Sequence, residues 1–171
     1  MSVAEAVVAH YQQGNLLARL EVALRQSGKD PEHLAADDLA AVDEFHARGR
    51  EATIELAEML PEAIDTELLD VGSGIGGPAR FLAARGHRVV GVDLTPEYVA
   101  VANELTRRVG LAERARFLTA NALALPFDPA SFTAAYTQHV AMNINDKAGL
   151  YREVARVLRP GATFVIYDML R

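Results

Sequence analysis

The chain has 171 residues, a length that predicts one domain of ordinary size and excludes a two-domain enzyme. Half of the residues are hydrophobic and 23% are charged, so there are enough apolar side chains to bury a core. The absence of Cys excludes a disulfide scaffold, a thiolate metal site and a cysteine nucleophile. A formal net charge of −6 opposes binding to a phosphate backbone, and we expect no nucleic-acid partner.

The sequence also lacks membrane signals. No apolar run approaches the roughly 18 residues that a membrane span needs. The first ten residues, MSVAEAVVAH, lack the basic start and the long apolar stretch of a signal peptide. We therefore expect no membrane partner and a cytoplasmic location.

Residues 1–62 carry helical periodicity and predict an N-terminal helical cap. Apolar residues recur at spacings of three and four between Leu16 and Leu24. The segments 14–15 and 27–31 contain Gly and Pro and separate the helices.

A further helix is predicted after these breaks. Asp37 or Asp38 is suited to cap it, and it would continue through Phe45 toward Met59 until Pro61 ends it. We interpret the paired aspartates as structural.

From residue 67 the hydrophobic period changes. Short apolar strands alternate with amphipathic helices, a pattern that requires crossover connections and predicts a parallel sheet. We expect an α/β, doubly wound, mostly parallel Rossmann-like sheet of about five strands in the order 3-2-1-4-5. This core, residues 63–171, would form one compact domain with the cap. The predicted strands are 68–71, 89–94, 116–119, 132–137 and 163–167, and the predicted helices are 78–84, 95–109 (with Thr95 as its cap) and 146–158.

A glycine loop joins the first predicted strand to the first helix of the core, in LLDVGSGIGGPARFLA, residues 68–83. Gly72, Gly74 and Gly77 satisfy G-x-G-x-x-G, and Gly72, Gly74 and Gly76 satisfy G-x-G-x-G. In both patterns the backbone can approach a nucleotide beside a helix N-terminus. The alternative is that these residues only form a tight turn.

Asp70 discriminates between ligands of this loop. It lies two residues before the first glycine, where a carboxylate would repel a pyrophosphate but attract an ammonium or sulfonium group. This position favours a cationic cofactor. Alternatively, Asp70 only accepts hydrogen bonds from the amides of the turn.

Two further residues follow strands at the same predicted edge of the sheet. Asp93 ends the second strand about 20 residues after the loop, the position that accepts hydrogen bonds from ribose hydroxyls. Its alternative role is to cap the next helix, although Thr95 is better placed for that. Asn121 follows the third strand and offers a donor and an acceptor to an adenine edge, or it is an ordinary turn residue.

Four segments resemble motifs of the class I S-adenosylmethionine-dependent methyltransferases: LLDVGSGIGGPARFLA, GVDLTPEYVAVA, TANALALPFDPASF and EVARVLRPGATFVIYDML. The resemblance covers about residues 66–170. The stretch TQHVAMNINDKAGLYREVARVLRPG looks most like the small-molecule branch that contains the sarcosine and dimethylglycine N-methylases and the ubiquinone and menaquinone C-methylases.

The resemblance implies S-adenosylmethionine as cofactor, S-adenosylhomocysteine as product and a small-molecule acceptor. Asp70 and the glycine loop would hold the methionine part, Asp93 the ribose, and Asn121 with Ala122 the adenine. Gln138 would orient the amino-acid end of the cofactor, or the acceptor. The predicted cofactor-binding residues are Asp70, Gly72, Ser73, Gly74, Gly76, Asp93, Leu94, Asn121, Ala122 and Gln138.

The cap is expected to fold over this cofactor. Related enzymes place a helix where this chain has FHARGREAT, residues 45–53, so Phe45, His46, Arg48 and Gly49 are candidate contacts. Tyr11 is expected to cover the methyl group. A helix that buries only apolar side chains would show the same pattern without any ligand.

A sulfonium methyl group is already electrophilic, so the enzyme must align the nucleophile and exclude water. His139 follows the fourth strand and is the candidate general base, or it only lines the pocket. Asp168, at the end of strand five, is a second residue within reach of a substrate, or an exposed strand end. The five histidines show no H-x-x-x-H spacing, and we expect no metal.

Two other functions fit parts of the pattern. A nicotinamide-dependent oxidoreductase also has G-x-G-x-x-G followed by an acidic residue such as Asp93. A non-catalytic or truncated cofactor-binding module is the other alternative, since class I methyltransferases usually continue past strand five and this chain stops at Arg171. The strand TFVIY would then be an exposed edge. We expect another copy of the chain to cover it, or the natural protein to be longer.

Overall fold

The computed structural model describes residues 14–43, 48–62 and 66–169. Glycine and proline residues separate most of its elements, as their restricted or left-handed backbones require. The α-helices are α1 (Leu16–Gln26), α2 (Ala40–Asp43), α3 (Gly49–Glu58), α4 (Gly77–Ala84), α5 (Pro96–Arg108) and α6 (Lys147–Val157), and the 3₁₀-helices are Ala36–Leu39 and Ala141–Asn143. The strands are β1 (Glu67–Val71), β2 (Arg88–Asp93), β3 (Ala115–Thr119), β4 (Phe132–Gln138) and β5 (Leu158–Tyr167).

The five strands form one sheet in the order β3-β2-β1-β4-β5, and every neighbouring pair is parallel. The predicted fold class and strand order are confirmed. The carboxyl ends of β1 to β4 meet at the same edge, and the order reverses between β1 and β4. This switch point is where ligands of such sheets bind.

Apolar side chains cover both faces of the sheet. On one face, Leu69 and Val71 of β1 pack with Leu150 and Val154 of α6. On the other face, residues of α3, α4 and α5 pack with β1 and β4, including the fully buried Tyr136. Because alternate residues of a strand point to opposite faces, adjacent residues of β1 belong to different clusters.

The helices before β1 pack on α5. Leu20 and Leu24 of α1 form a buried cluster with Val101 and Leu105 of α5. The carboxylate of Glu97, in the first turn of α5, accepts hydrogen bonds from the backbone N–H groups of Gly14 at 3.1 Å and Leu16 at 2.9 Å. These contacts fix the start of α1 beside the start of α5.

The predicted continuous helix from Asp37 or Asp38 to Met59 is wrong. The structure has separate helices α2 and α3, and Arg48 (φ 68°) and Gly49 (φ 45°) have left-handed backbones. Left-handed residues cannot continue a right-handed helix, so the chain turns before α3 begins. The Asp38 carboxylate accepts from the N–H of Ala35, which satisfies a free donor at the first 3₁₀-helix.

The fifth strand is longer than predicted. It begins at Leu158, whereas the predicted strand began at residue 163, so the segment Arg159-Pro160-Gly161 lies within it. Phe132 pairs with Leu158 while Ala134 pairs with Thr163, so β5 accommodates the extra residues as a bulge. β5 lies at the edge of the five-stranded sheet, as predicted. Coverage of that edge by another copy stays a prediction.

Candidate active site

A cavity of about 440 Å³ lies at the carboxyl edge of the sheet. The glycine loop, the ends of β2 and β3, the start of α5 and the loop between β4 and α6 enclose it. Its lining residues are Gly72, Gly74, Val92, Asp93, Leu94, Thr95, Tyr98, Ala120, Asn121, Ala122, Leu123, His139, Val140, Asn143, Ile144, Asn145 and Asp146. This volume is within the range of cavities that bind small ligands.

Most of the predicted site residues converge on this cavity. Gly72, Gly74, Asp93, Leu94, Asn121, Ala122 and His139 line it. Asp70, Ser73, Gly76 and Gln138 are buried and do not line it. The predicted site therefore has two parts. One is an open cavity, and the other is a buried group at the glycine loop that includes the polar side chains of Asp70, Ser73 and Gln138.

The glycines of the loop have different tasks. Gly74 has φ 54°, and a Cβ built there would meet no atom within 4 Å, so its backbone borders open space. A Cβ on Gly72 would lie 2.4 Å from both methyl carbons of Val140. A Cβ on Gly76 would lie 2.5 Å from the ring of Phe117. Gly74 leaves space for a ligand, whereas Gly72 and Gly76 leave space for the protein itself.

The carboxylate of Asp93 organises the rim of the cavity. It accepts hydrogen bonds from the N–H of Gly74 and from the N–H of Thr95, both at 2.9 Å. Thr95 is the N-cap residue of α5, as predicted, but its side chain makes no capping hydrogen bond. Each carboxylate oxygen can accept a second hydrogen bond, so this role leaves Asp93 able to bind a ribose hydroxyl.

Asn121 acts as a turn residue, which was the alternative to a contact with adenine. Its Oδ1 accepts from the N–H of Leu123 at 2.9 Å, in the loop after β3. The side chain is exposed and lines the cavity. Because the amide also carries two N–H donors, the turn does not exhaust its hydrogen-bonding capacity.

Asp70 is almost completely buried, with 2% of its surface exposed. Its Oδ2 has no hydrogen-bond partner among the described residues. The glycine-turn amides of Gly72 and Ser73 both donate to the carbonyl of Val92 instead. Burial raises the pKa of Asp70 to about 7, the nearby Tyr136 hydroxyl lowers it, and the charge of Asp93 raises it.

His139 has an unusual backbone at the end of β4. Its φ is 57°, a left-handed conformation that is costly for a residue with a side chain. Its N–H donates to the carbonyl of Tyr167 at 2.8 Å, and the two rings meet edge to face with centroids 5.4 Å apart. The Tyr167 hydroxyl accepts from Arg48 at 3.3 Å, and Arg48 also pairs with Glu55.

The predicted cap contacts are only partly described. Arg48 and Gly49 lie at the start of α3, where Arg48 contacts the end of β5 and neither residue lines the cavity. Tyr11, Phe45 and His46 lie outside the described residues. Asp168 accepts from the N–H of Met142 at 2.7 Å and so fixes the loop after β4 to the end of β5.

Several residues of the site were not predicted. Tyr98 lines the cavity from the first turns of α5, three residues after Thr95, and Asn143 and Asn145 line it from the loop before α6. Tyr136 faces Asp70 from the neighbouring strand. The period of two along β4 could have placed Tyr136 on a definite face, but not beside Asp70, since strand pairing is non-local.

Neither a metal site nor a membrane helix is present in the described part of the chain. Within residues 14–43, 48–62 and 66–169, no group of three or more His, Asp or Glu side chains is arranged to hold a metal ion. None of the helices in these ranges combines the length and apolar composition needed to cross a membrane.

A doubly wound parallel sheet with a glycine loop and a cavity at its switch point defines the class of Rossmann-like nucleotide-binding proteins. A family model described as "Methyltransferase domain" matches residues 69–166, which is more than half of the chain. The chain belongs to this methyltransferase family.

Named relatives agree with this assignment. Methyltransferase GfsG of Streptomyces halstedii is 34% identical over 134 residues, which are 78% of this chain and 48% of that protein. The 24-methylenesterol C-methyltransferase 2 of Oryza sativa subsp. japonica is 38% identical over 114 residues, 66% of this chain and 31% of the relative. The chain thus spans between about a third and a half of the length of these relatives.

Solved structures show the same fold. The phosphoethanolamine N-methyltransferase 2 of Haemonchus contortus, in complex with S-adenosyl-L-methionine, is 30% identical with a TM-score of 0.64, covering 69% of this chain and 28% of the other. A geranyl diphosphate C-methyltransferase from Streptomyces coelicolor A3(2) has a TM-score of 0.75 at 24% identity, covering 97% and 65% of the two chains. This second likeness concerns the fold alone.

Proposed function

We propose that this chain binds S-adenosylmethionine and transfers its methyl group to a small-molecule acceptor by direct in-line displacement. Two observations support this most strongly: the open cavity beside Gly74, and the buried carboxylate of Asp70, which pairs with no Lys, Arg or His of the described residues. Such a carboxylate suits a ligand with a positive charge and opposes the pyrophosphate of a dinucleotide.

The residues present fit this cofactor part by part. Gly74 borders open space, so its backbone can approach the methionine part, and Asp70 would take the ammonium group. Asp93 would hold the ribose hydroxyls while it keeps its bonds to Gly74 and Thr95. The adenine would lie against Leu94, Asn121 and Ala122, which line the cavity after β2 and β3. Gln138 would contact the amino-acid end or the acceptor.

The bound cofactor supplies an electrophilic methyl group, and the protein supplies position and shielding from water. His139 lies at the cavity beside the glycine loop and would accept a proton from an acceptor that carries one. The contact with Tyr167 holds its ring, so the imidazole is fixed before an acceptor arrives. In-line transfer then requires the acceptor to approach from the His139 side.

We further propose that the N-terminal section, residues 1–62, is a helical cap over the core of residues 63–171. The start of α1 is fixed beside α5 by Glu97, and α5 contributes Tyr98 to the cavity. Three residues separate Tyr11 from Gly14, and three residues of extended chain reach about 10 Å. The contact of Arg48 with Tyr167 brings the start of α3 to the same end of the sheet.

Calorimetric titration with S-adenosylhomocysteine and with NAD tests the cofactor. We expect S-adenosylhomocysteine to bind and NAD not to bind, because the Asp70 carboxylate repels a pyrophosphate. Binding of NAD alone would contradict the proposal and favour a nicotinamide-dependent oxidoreductase.

Methyl transfer from labelled cofactor to a panel of amines, phenols and quinone precursors tests the reaction. We expect His139→Ala to lower turnover by about 100-fold for an acceptor that must lose a proton. The matched control is His33→Ala, because His33 is an exposed histidine that pairs with Asp30 and does not line the cavity. Equal turnover in both variants would remove His139 from the mechanism, and cofactor binding without transfer to any acceptor would favour a non-catalytic module.

A further inference from the structure

A row of five residues crosses the sheet at the level of Asp70. The strand registers pair Phe117 with Gly91, Gly91 with Asp70, Asp70 with Tyr136, and Tyr136 with Val165. Register partners in a parallel sheet share a face. All five residues are buried, and Asp70 is the single ionisable carboxylate among apolar neighbours, a glycine and a tyrosine.

This row isolates Asp70 from the charges that would usually stabilise it. No Lys, Arg or His of the described residues lies within salt-bridge distance of its carboxylate. Tyr136 of β4 and Asp93 of β2 are the titratable groups that act on it. An anion without a cation in such surroundings is unfavourable, so burial raises the pKa of the Asp70 carboxyl group to about 7.

Two buried oxygen atoms around the start of the glycine loop are unsatisfied. Within the described ranges, Asp70 Oδ2 and Ser73 Oγ have no hydrogen-bond partner. Buried polar atoms in proteins are rarely left in this state without a functional reason. An ammonium group carries three N–H donors and one positive charge, so it offers donors to both oxygens and compensates the charge of the carboxylate.

We propose that Tyr136 is a positioning residue for Asp70 and that the pair forms a proton-linked site, which exchanges the proton of Asp70 for the ammonium group of the cofactor. This inference rests on the proposed cofactor. The proton leaves the Asp70 carboxyl group for solvent as the ammonium group enters, and no covalent bond of the cofactor changes. The site thereby selects ligands that carry the charged amino-acid end.

The mutual effects of the two side chains agree with this pairing. Burial raises the pKa of Tyr136 well above its usual value, and the nearby Asp70 raises it further, so its hydroxyl stays protonated. The hydroxyl in turn lowers the pKa of Asp70, against the larger effect of burial. Tyr136 therefore keeps Asp70 close to the point at which a cation can displace its proton.

The test uses S-adenosylhomocysteine and 5′-methylthioadenosine as probes, because the second lacks the amino-acid end. Titration calorimetry in two buffers of different ionisation enthalpy counts the protons released. With the pKa of Asp70 at about 7, we expect about 0.9 proton released per S-adenosylhomocysteine at pH 6.0 and about 0.5 at pH 7.0. Its affinity should rise about fivefold between these values, and methylthioadenosine should show neither effect.

Three variants separate positioning from simple structural support. Tyr136→Phe keeps the ring but removes the hydroxyl, so we expect more proton release and weaker S-adenosylhomocysteine binding at pH 7.0 than in the wild type. Asp70→Asn should release no proton. Thr137→Val is the matched control: it removes a buried hydroxyl from the same strand, one that donates to the carbonyl of Val71.

The outcomes are distinguishable. Binding of S-adenosylhomocysteine without proton release, or with the same release as methylthioadenosine, would overturn the inference and leave the proposed cofactor standing. Equal proton counts in Tyr136→Phe and Thr137→Val would overturn the role of Tyr136. If neither probe binds, the proposed cofactor and the inference both fail.

Discussion

Two carboxylates are buried next to the glycine loop, Asp43 and Asp70, and their surroundings differ. Asp43, at the end of α2, is 6% exposed and pairs with Arg80 of α4 at 2.8 Å. Arg80 also donates to the carbonyl of Ala102 and the hydroxyl of Thr106 on α5. Asp70, on β1, is 2% exposed and has no cationic partner in the described ranges of the chain.

The comparison separates a structural role for Asp43 from the binding role that we propose for Asp70. The Asp43–Arg80 pair connects three helices, and its charges are compensated within the protein, so it stabilises the packing of the N-terminal helices on the core. Asp70 is buried to a comparable degree, but no cation of the described residues compensates its charge. A buried charge without a partner costs free energy, and a ligand of opposite charge can recover that cost on binding.

The largest expected effect is on stability, through the Asp43–Arg80 pair. Arg80→Met should lower the free energy of unfolding by about 4 kcal/mol, because it leaves Asp43 buried without its cation. Urea denaturation measures this, with Arg25→Met as control, since Arg25 forms an exposed pair with Glu21 at 3.6 Å. A loss below about 1 kcal/mol would contradict the structural role. Replacing both partners, Asp43→Leu with Arg80→Met, should recover most of the stability.

On the binding side, Asp70→Asn should weaken S-adenosylhomocysteine binding by about 3 kcal/mol, or roughly a hundredfold. The reason is that a neutral amide cannot compensate the ammonium charge. The same variant should not lose stability at pH 8, in contrast to Arg80→Met. Titration calorimetry and urea denaturation check the two parts, and a variant that unfolds more easily but binds normally would reverse the assignment.

A pair of glycines extends the comparison to the loop itself. A Cβ on Gly77 would lie 2.7 Å from the backbone oxygen of Asp43, so Gly77→Ala should cost about 2 kcal/mol of stability. Gly74 borders open space at φ 54°, so Gly74→Ala should cost only about 1 kcal/mol of backbone strain. We expect Gly74→Ala to be the more damaging of the two for S-adenosylhomocysteine binding. Thermal unfolding should show Gly77→Ala to be the less stable variant, and calorimetry should show Gly74→Ala to be the weaker binder.

An effect smaller than that of Gly77→Ala is expected on the pH dependence of stability. The pKa of Asp70 is about 7 in the folded protein and about 3.9 in an unfolded chain, so its folded form favours the proton. Its contribution is therefore fully present below about pH 4 and is lost as the pH rises through 7. Between pH 6 and pH 8 the wild type should lose about 1.4 kcal/mol relative to Asp70→Asn. Parallel pH profiles of the two proteins would contradict a raised pKa.

Much of the core could be predicted because its signals are local. The apolar run of β1, the glycines after it and the proline at the start of α4 lie within one short segment, and each acts through its own backbone preferences. The convergence of Gly74, Asp93 and Asn121 followed from one rule, that parallel strands end at a common edge.

The predictions that were wrong or incomplete have equally specific physical causes. The continuous helix before residue 59 was wrong because Arg48 adopts a left-handed backbone, which nothing in an arginine predicts. The extended β5 was missed because the bulge that accommodates Pro160 and Gly161 depends on pairing with β4. Thr95 was predicted to cap α5 with its side chain, but that side chain makes no capping hydrogen bond, and Asp93 accepts from the backbone N–H of Thr95.

The sequence by itself determined the class of fold, the glycine loop and the acidic residues at the ends of β1 and β2, because these depend on periodicity and on residue type. Only the tertiary structure decided which carboxylate has a cation. Arg80 reaches Asp43 across 37 positions of the chain, and Tyr136 meets Asp70 across 66. Burial and pairing are set by neighbours distant in sequence, and they distinguish the structural Asp43 from Asp70, to which we assign a binding role.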